Sequence, residues 1–190
     1  MSSTQSEEND RPASGWARLG GEVVHRGDFL TVHRDRVLRP DGAPGTYEHV
    51  AVSEGARIVA VDAAGNILLV EDDFYLQGGR QLALPGGGLR PGEDPETGAR
   101  REFEEETGKR PGKLLLLTRF HPLPATTSAT TCLFLATALQ DGVLRRDSTE
   151  ARMTVKWMPL KAAVQAVQGG EITEAGTVIG LLLAARALAV

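Results

Sequence analysis

Three glutamates, Glu102, Glu105 and Glu106, stand three and four residues apart in the stretch "REFEEETG". On a helix of 3.6 residues per turn these positions span about 100° of arc, so their carboxylates share one side. Like charges at that spacing repel and cost helix stability. They also raise one another's pKa unless a cation neutralises them. Oxygen-only ligands select hard divalent ions, Mg2+ or Mn2+, and Mg2+ commonly also binds substrate phosphates. The run Gly86-Gly87-Gly88 just before lets the backbone approach a ligand closely and aim carbonyls or amides at it. The residues therefore predict a metal-dependent phosphate site. A glutamate-rich run taken alone is more often plain solvated surface, so the elements that carry it matter.

Those elements have local signals. Asp94 is the predicted N-cap of the helix, Pro95 occupies its first position, and Gly108 suits a left-handed stop. Gly98 inside the helix costs about 1 kcal/mol relative to alanine. Ala99 and Phe103 supply the face toward a core, and Glu104, on the opposite side, is expected to pair with Arg100.

The same stretch resembles the Nudix box, G-x5-E-x7-R-E-U-x-E-E-x-G-U with U apolar. The matching residues are Gly87, Glu93, Arg101, Glu102, Phe103, Glu105, Glu106 and Gly108, and Lys109 departs at the final apolar position. The resemblance implies a Nudix α/β/α sandwich, an α+β fold with a mixed central sheet and an N-terminal antiparallel strand extension. It also implies hydrolysis of a nucleoside diphosphate linked to a group X, giving a nucleoside monophosphate and phosphorylated X. Glu102, Glu105 and Glu106 would ligate the metal, with the Gly86 carbonyl as a further ligand. Arg101 and Glu93 would orient the glutamates as an ion pair. Bound ions would polarise phosphoryl oxygens and lower the pKa of the attacking water.

Outside the box, "GDFLTVHRDRVLRPDG", "LALPGG", Pro124 and the ending "VKWMPLKAAVQAVQGGEITEAGTVIGLLLA" resemble the ADP-ribose pyrophosphatase and NDP-sugar hydrolase branch. Two stretches depart from it. "EDDF", Glu71 to Phe74, stands where that branch commonly has "RQYR", and "ATTSAT", Ala125 to Thr130, replaces an acidic loop. A related nucleoside diphosphate sugar is thus as good a substrate expectation as ADP-ribose. In that branch the catalytic base lies on a loop before the penultimate strand, where "RRDSTEARMT" offers Glu150, the choice here, and Asp147. Trp16, Tyr47, Phe74 and Phe120 are candidate base platforms. Arg80, Arg119, Arg145 and Arg146 are unranked phosphate partners. The alternatives are a pyrophosphatase that clears damaged nucleoside triphosphates and a nucleotide-sensing module without catalysis. A sensing module would be expected to carry a damaged box, whereas here every charged position of it is present.

With 190 residues and a net charge of −4, the chain offers no polybasic surface for nucleic acid or membrane. No run approaches the roughly twenty apolar residues of a membrane span. The single cysteine, Cys132, lies in an apolar run, excludes an internal disulfide and suits a reducing compartment, so a cytoplasmic location is expected. Residues 1–15 read as a disordered polar tail, 16–54 as a dimerising β extension and 55–190 as the hydrolase domain. The leading strands carry little apolar surface of their own, and in the resembled branch they pack across a two-fold axis, so a homodimer is expected. "ARIVAV" and "NILLVED" read as a hairpin about Ala64-Gly65-Asn66, "KLLLLTRF", "TTCLFLATAL" and "MTVKWMPL" as later strands. Two closing helices follow, the first stopped by Gly169 and the second capped by Thr173.

Overall fold

The structure, a computed structural model, describes residues 15–189, so the expected tail lies, but for Gly15, outside the described residues. The chain divides into two compact units, Met1–Val52 with Leu123–Ser128, and Ser53–Pro122 with Ala129–Val190.

In the first unit β1 (Ala17–Arg26), β2 (Thr31–Leu38) and β3 (Pro44–Ala51) form an antiparallel sheet in sequence order. The turns fall at Gly27-Asp28 and Asp41-Gly42. Cross-strand pairs rather than a core hold it: Arg18 donates to both Asp35 oxygens at 2.8 and 3.1 Å, and the His33 and His49 rings stack at 5.1 Å. Segment 123–128 joins through Tyr47 Oη, which donates to the Ala125 carbonyl, and Val50 N, which donates to the Thr126 carbonyl, both at 2.8 Å.

The second unit is built on strands that are apolar at successive residues. β4 (Gly55–Val61), β5 (Asn66–Phe74), β6 (Gly79–Ala83), β8 (Lys113–Phe120), β9 (Thr131–Thr137) and β11 (Thr154–Pro159) form one six-stranded sheet. Its order is β11-β5-β4-β9-β8, with β6 also on β5; β4 and β9 are parallel and the other pairs antiparallel. β7 (Lys109–Arg110) and β10 (Gln140–Asp141) make a small separate pair. Alternation distributes the apolar residues to both faces. Ala56, Ile58, Leu68, Cys132 and Phe134 cluster with Ala99 and Phe103 of α1 (Pro95–Thr107). Val59, Ile67, Leu69 and Leu133 cluster with residues of α2 (Leu160–Gln168) and α3 (Ala175–Ala187). The result is the expected α/β/α sandwich with a mixed central sheet. Phe103 is fully buried, and truncating such a side chain to alanine costs about 3–5 kcal/mol.

Two local expectations are corrected. Arg100 pairs with Glu96 at 2.7 Å, while Glu104 pairs with Arg110 at 2.7 Å and accepts from Val143 N. The cause is a nearer cation brought round by β7, which pulls the Glu104 carboxyl down to about 2. α3 is capped by Glu174 rather than Thr173: its carboxylate accepts from Gly176 N at 3.1 Å and Thr177 N at 2.7 Å. Among the described residues no helix is long and apolar enough to cross a membrane.

Candidate active site

α1 starts and stops where its residues dictate. The Asp94 carboxylate accepts from Thr97 N at 3.0 Å, Pro95 follows, and Gly108 takes a left-handed conformation with its N–H on the Glu104 carbonyl. The preceding glycine-rich loop lies along β4: Ala56 N donates to the Gly87 carbonyl and Ile58 N to the Pro85 carbonyl, both at 3.0 Å. This close approach requires glycine. At Gly86, φ is 138°, and a Cβ there would overlap the Ala56 carbonyl. At Gly87 a Cβ would meet the Glu102 carboxylate at 2.6 Å.

Arg101 organises the acids. Its Nε and Nη2 donate to the two Glu93 oxygens at 2.9 and 2.8 Å, the two-pronged geometry that makes Arg–carboxylate bonds strong. Nη1 donates to Glu102 and, at 3.1 Å, to Glu105; Nη2 also reaches the Gly88 carbonyl at 3.2 Å. The Arg101 bonds hold the Glu93 carboxyl down to about 2. Glu106 lies deeper, 5% exposed, accepting from Gly86 N at 2.9 Å. Burial, aided by Glu150 and Glu102 and opposed by the Gly86 N–H, pushes its carboxyl up to about 8.

The loop after β10 brings the remaining acids. Arg146 Nε donates to the Glu106 carbonyl at 2.9 Å and Nη1 to the Met153 carbonyl, tying this loop to the end of α1. Asp147 Oδ1 accepts from Thr149 N at 2.7 Å, from the Thr149 hydroxyl and from Glu150 N, and these bonds lower its pKa. Glu150 is instead raised, first by burial and then by the charges of Asp147, Glu102 and Asp72.

A cavity of about 400 Å3 opens between these elements, with Asp72, Glu102, Glu106, Asp147 and Glu150 on its walls and Arg57 facing them. Gly86 also lines it, whereas Glu105 does not; Glu93 and Arg101 stand behind the wall. Among the described residues no three acidic, histidine or cysteine side chains are close enough to hold an ion as they stand. Arg101 holds Glu102 and Glu105, and Gly86 N holds Glu106. The donor set nevertheless fits a hard divalent ion. It is all oxygen, it outnumbers its single facing cation, and burial with the neighbouring carboxylates pushes the deep carboxyl up to about 8.

Sequence reasoning missed Asp72, Arg57 and Glu174. Arg57 Nη1 donates to the Leu84 and Gly86 carbonyls at 3.2 Å, and Nη2 lies 3.7 Å from Glu174. Burial alone would raise the Glu174 carboxyl, but Arg57 and the α3 donors keep it low. Thr177 Oγ1 donates to Glu174 and accepts from Leu84 N, so the cap of α3 braces the glycine loop from behind. Only period-two alternation along β5 signals Asp72 in sequence. Of the candidate phosphate cations, Arg80 is bound to Glu71 at 3.1 Å and Arg146 to carbonyls. Of the aromatics, Phe74 lines the cavity and Phe120 packs against the core, while Trp16 and Tyr47 meet edge to face in the first unit.

A helix carrying this acid array against a glycine loop, in a three-layer sandwich with a mixed sheet, defines the Nudix type of hydrolase. Sequence comparison agrees: the NUDIX domain profile matches residues 53–175, and that of the nucleoside diphosphate sugar hydrolase N-terminal domain matches residues 16–50. The chain belongs to the Nudix family and is a hydrolase of pyrophosphate bonds. It is 34% identical to a CMP-5'-(N-acetyl-N-hydroxy-3-aminopropyl)phosphonate hydrolase of Streptomyces rubellomurinus, over 88% of this chain and 81% of that one. It is 32% identical to an ADP-ribose pyrophosphatase of Mycobacterium tuberculosis, over 86% and 80%. A crystal structure of an ADP compounds hydrolase shares the fold, with a TM-score of 0.80 at 22% identity, covering 92% of this chain and 94% of the other.

Proposed function

We propose that the chain is a Mg2+-dependent pyrophosphatase (Mn2+ serving in its place) that cleaves a nucleoside diphosphate linked to X, ADP-ribose or another NDP-sugar, into a nucleoside monophosphate and phosphorylated X. The observation that carries this reading is the cavity itself, five carboxylates against one arginine. A diphosphate cannot enter such a field unless divalent cations neutralise it. The relatives named for ADP-ribose and for a CMP-linked phosphonate support a nucleotide joined to a variable group.

Glu102, Glu105 and Glu106 would hold the ions, with the Gly86 carbonyl adding an oxygen; its bond to Arg57 leaves a second lone pair free. When bound, the ions supply polarisation of the phosphoryl oxygens and acidify water. Arg101, fixed by Glu93, holds both Glu102, which lines the cavity, and Glu105, which does not. Glu150 takes the proton of the attacking water; its raised carboxyl supports that choice over Asp147, whose carboxyl is lowered by its bonds within the loop. The water oxygen bonds to phosphorus, the bridging P–O bond breaks, and the bridging oxygen leaves on the other phosphate. Residues 16–54 serve as a dimerising extension of the 55–190 domain, the enzyme is a cytoplasmic homodimer, and neither nucleic acid nor membrane is a partner.

The test is a Mg2+-dependent turnover screen over ADP-ribose, GDP-mannose, UDP-sugars, dinucleoside polyphosphates and nucleoside triphosphates, with products identified. Glu105→Gln and Glu106→Gln are each expected to lower kcat by several orders of magnitude without unfolding. Glu150→Gln is expected to give a smaller but clear loss, and Asp147→Asn less than that. Near-parental rates in both metal-ligand variants would remove the metal assignment. Triphosphates as the preferred substrates would make the enzyme a sanitising one.

A further inference from the structure

Strand β5 carries three consecutive acids, Glu71, Asp72 and Asp73, before its last residue, Phe74, and alternation separates them. Glu71 and Asp73 face cations: Glu71 lies 3.1 Å from Arg80 and 3.7 Å from Lys156, and Asp73 lies 3.3 Å from Arg152. Asp72 points the other way, with Val70 and Phe74, into the cavity that holds Glu102, Glu106 and Glu150. Its Oδ1 is sealed from solvent and accepts no hydrogen bond. Gln81, its register partner on β6, does not supply one. Among the described residues this is the one buried side-chain oxygen or nitrogen left unsatisfied.

An unsatisfied buried acceptor is a standing cost to the fold, and native proteins keep such atoms mainly where function uses them. No neighbouring group donates to it in the structure. A donor carried by the ligand would satisfy it. A site built to bond a substrate O–H or N–H also rejects analogues that lack it, because the acceptor then stays unpaired.

We propose that Asp72 is a specificity-determining residue that accepts a hydrogen bond from a hydroxyl or ammonium group carried by the substrate close to the scissile diphosphate. This rests on the pyrophosphatase reading above and names the substrate class within it: compounds with a donor near the diphosphate, on X or on the nucleoside ribose. Alkyl esters of nucleoside diphosphates, whose X has no donor, become the poor substrates if X carries it.

The experiment compares kcat/KM for the full-length parent, Asp72→Asn and Asp72→Ala on three compounds sharing one base. These are an NDP-sugar, the corresponding NDP methyl ester, and the 2',3'-dideoxy form of the NDP-sugar, each at saturating Mg2+ and across a Mg2+ titration. For the parent, loss of the critical donor is expected to lower kcat/KM about ten- to a hundredfold. Asp72→Ala should lose a similar factor only on compounds that carry that donor, so the discrimination collapses. The methyl ester and dideoxy arms then assign the donor to X or to ribose. The melting temperature of Asp72→Ala should hold or rise, since an unsatisfied acceptor is removed. Equal losses on all three compounds, an equal shift in Mg2+ requirement on all three, or unchanged discrimination would each overturn the proposal. A parent that cleaves none of them, nor any other diphosphate, would instead overturn the pyrophosphatase reading itself.

Discussion

At the scale of single residues, Arg101 is the hub on which the acids of α1 depend. Its two-pronged bond to Glu93 fixes the guanidinium plane, and the plane aims the remaining donor at Glu102 and Glu105. The pair is enclosed, with Glu93 side-chain exposure of 10%, so water does not screen it as it would a surface pair. The sign of the pH dependence follows. The folded-state pKa of Glu93, about 2, lies below the ordinary glutamate value of 4.5, so the folded state favours the ionised form. Its stabilisation is fully present above about 4.5 and is lost as pH falls through about 2. Glu93→Gln is therefore expected to lower the melting temperature at pH 7, and the gap to the parent should shrink as pH is taken from 5 toward 2.5. A gap that stays constant across that range in thermal melts would mean that the ion pair contributes nothing beyond packing.

At the scale of elements, Gly98 shows how packing can override propensity. Replacing a helical glycine with alanine ordinarily gains about 1 kcal/mol. Here a Cβ would overlap the Leu89 side chain and stand 3.0 Å from Glu93 Oε2, and Leu89 is 7% exposed with little room to retreat. Gly98→Ala is accordingly expected to lower the melting temperature by a few degrees rather than raise it, read by calorimetry. The same contrast separates what the sequence made legible from what it hid. Asp94, Pro95 and Gly108 bound α1 through chemistry within one turn of the chain, and the Asp62 carboxylate likewise organises the β4–β5 turn by accepting from Ala64 N and Asn66 N. Such signals are local and readable. The partner of Glu104 was not, because Arg110 reaches it only after the chain has reversed past Gly108. The cap at Glu174 was overlooked because Thr173 is the commoner cap type, yet the longer carboxylate reaches two N–H groups and Arg57 together. Nothing local marks out Asp72 between two other acids; the face it occupies is settled only by the neighbours of β5 on both edges.

At the scale of the whole molecule, the two units differ in how they are held. The second has buried clusters on both faces of its sheet, whereas in the first only Asp35, Val37 and Thr127 are buried among the described residues. A three-stranded sheet with so little core is marginal by itself. Its apolar side chains instead lie outside: Leu19, Val23, Val24, Phe29 and Leu30 are exposed, Phe29 at 89%. Exposed apolar side chains of that kind are a liability in an isolated monomer and a resource at a symmetric interface. The expected occupant is a second copy of the chain, so sedimentation at micromolar concentration should give twice the chain mass. Val23→Asp combined with Phe29→Asp places charge among these exposed side chains and replaces none of the acids lining the cavity. That variant should sediment as a monomer and melt earlier than the parent, while retaining the circular dichroism of the folded chain. A parent that sediments as a monomer would remove the dimer altogether. A variant that stays dimeric would move the interface off this face, leaving the exposed apolar side chains of β1 and the turn after it to some other contact.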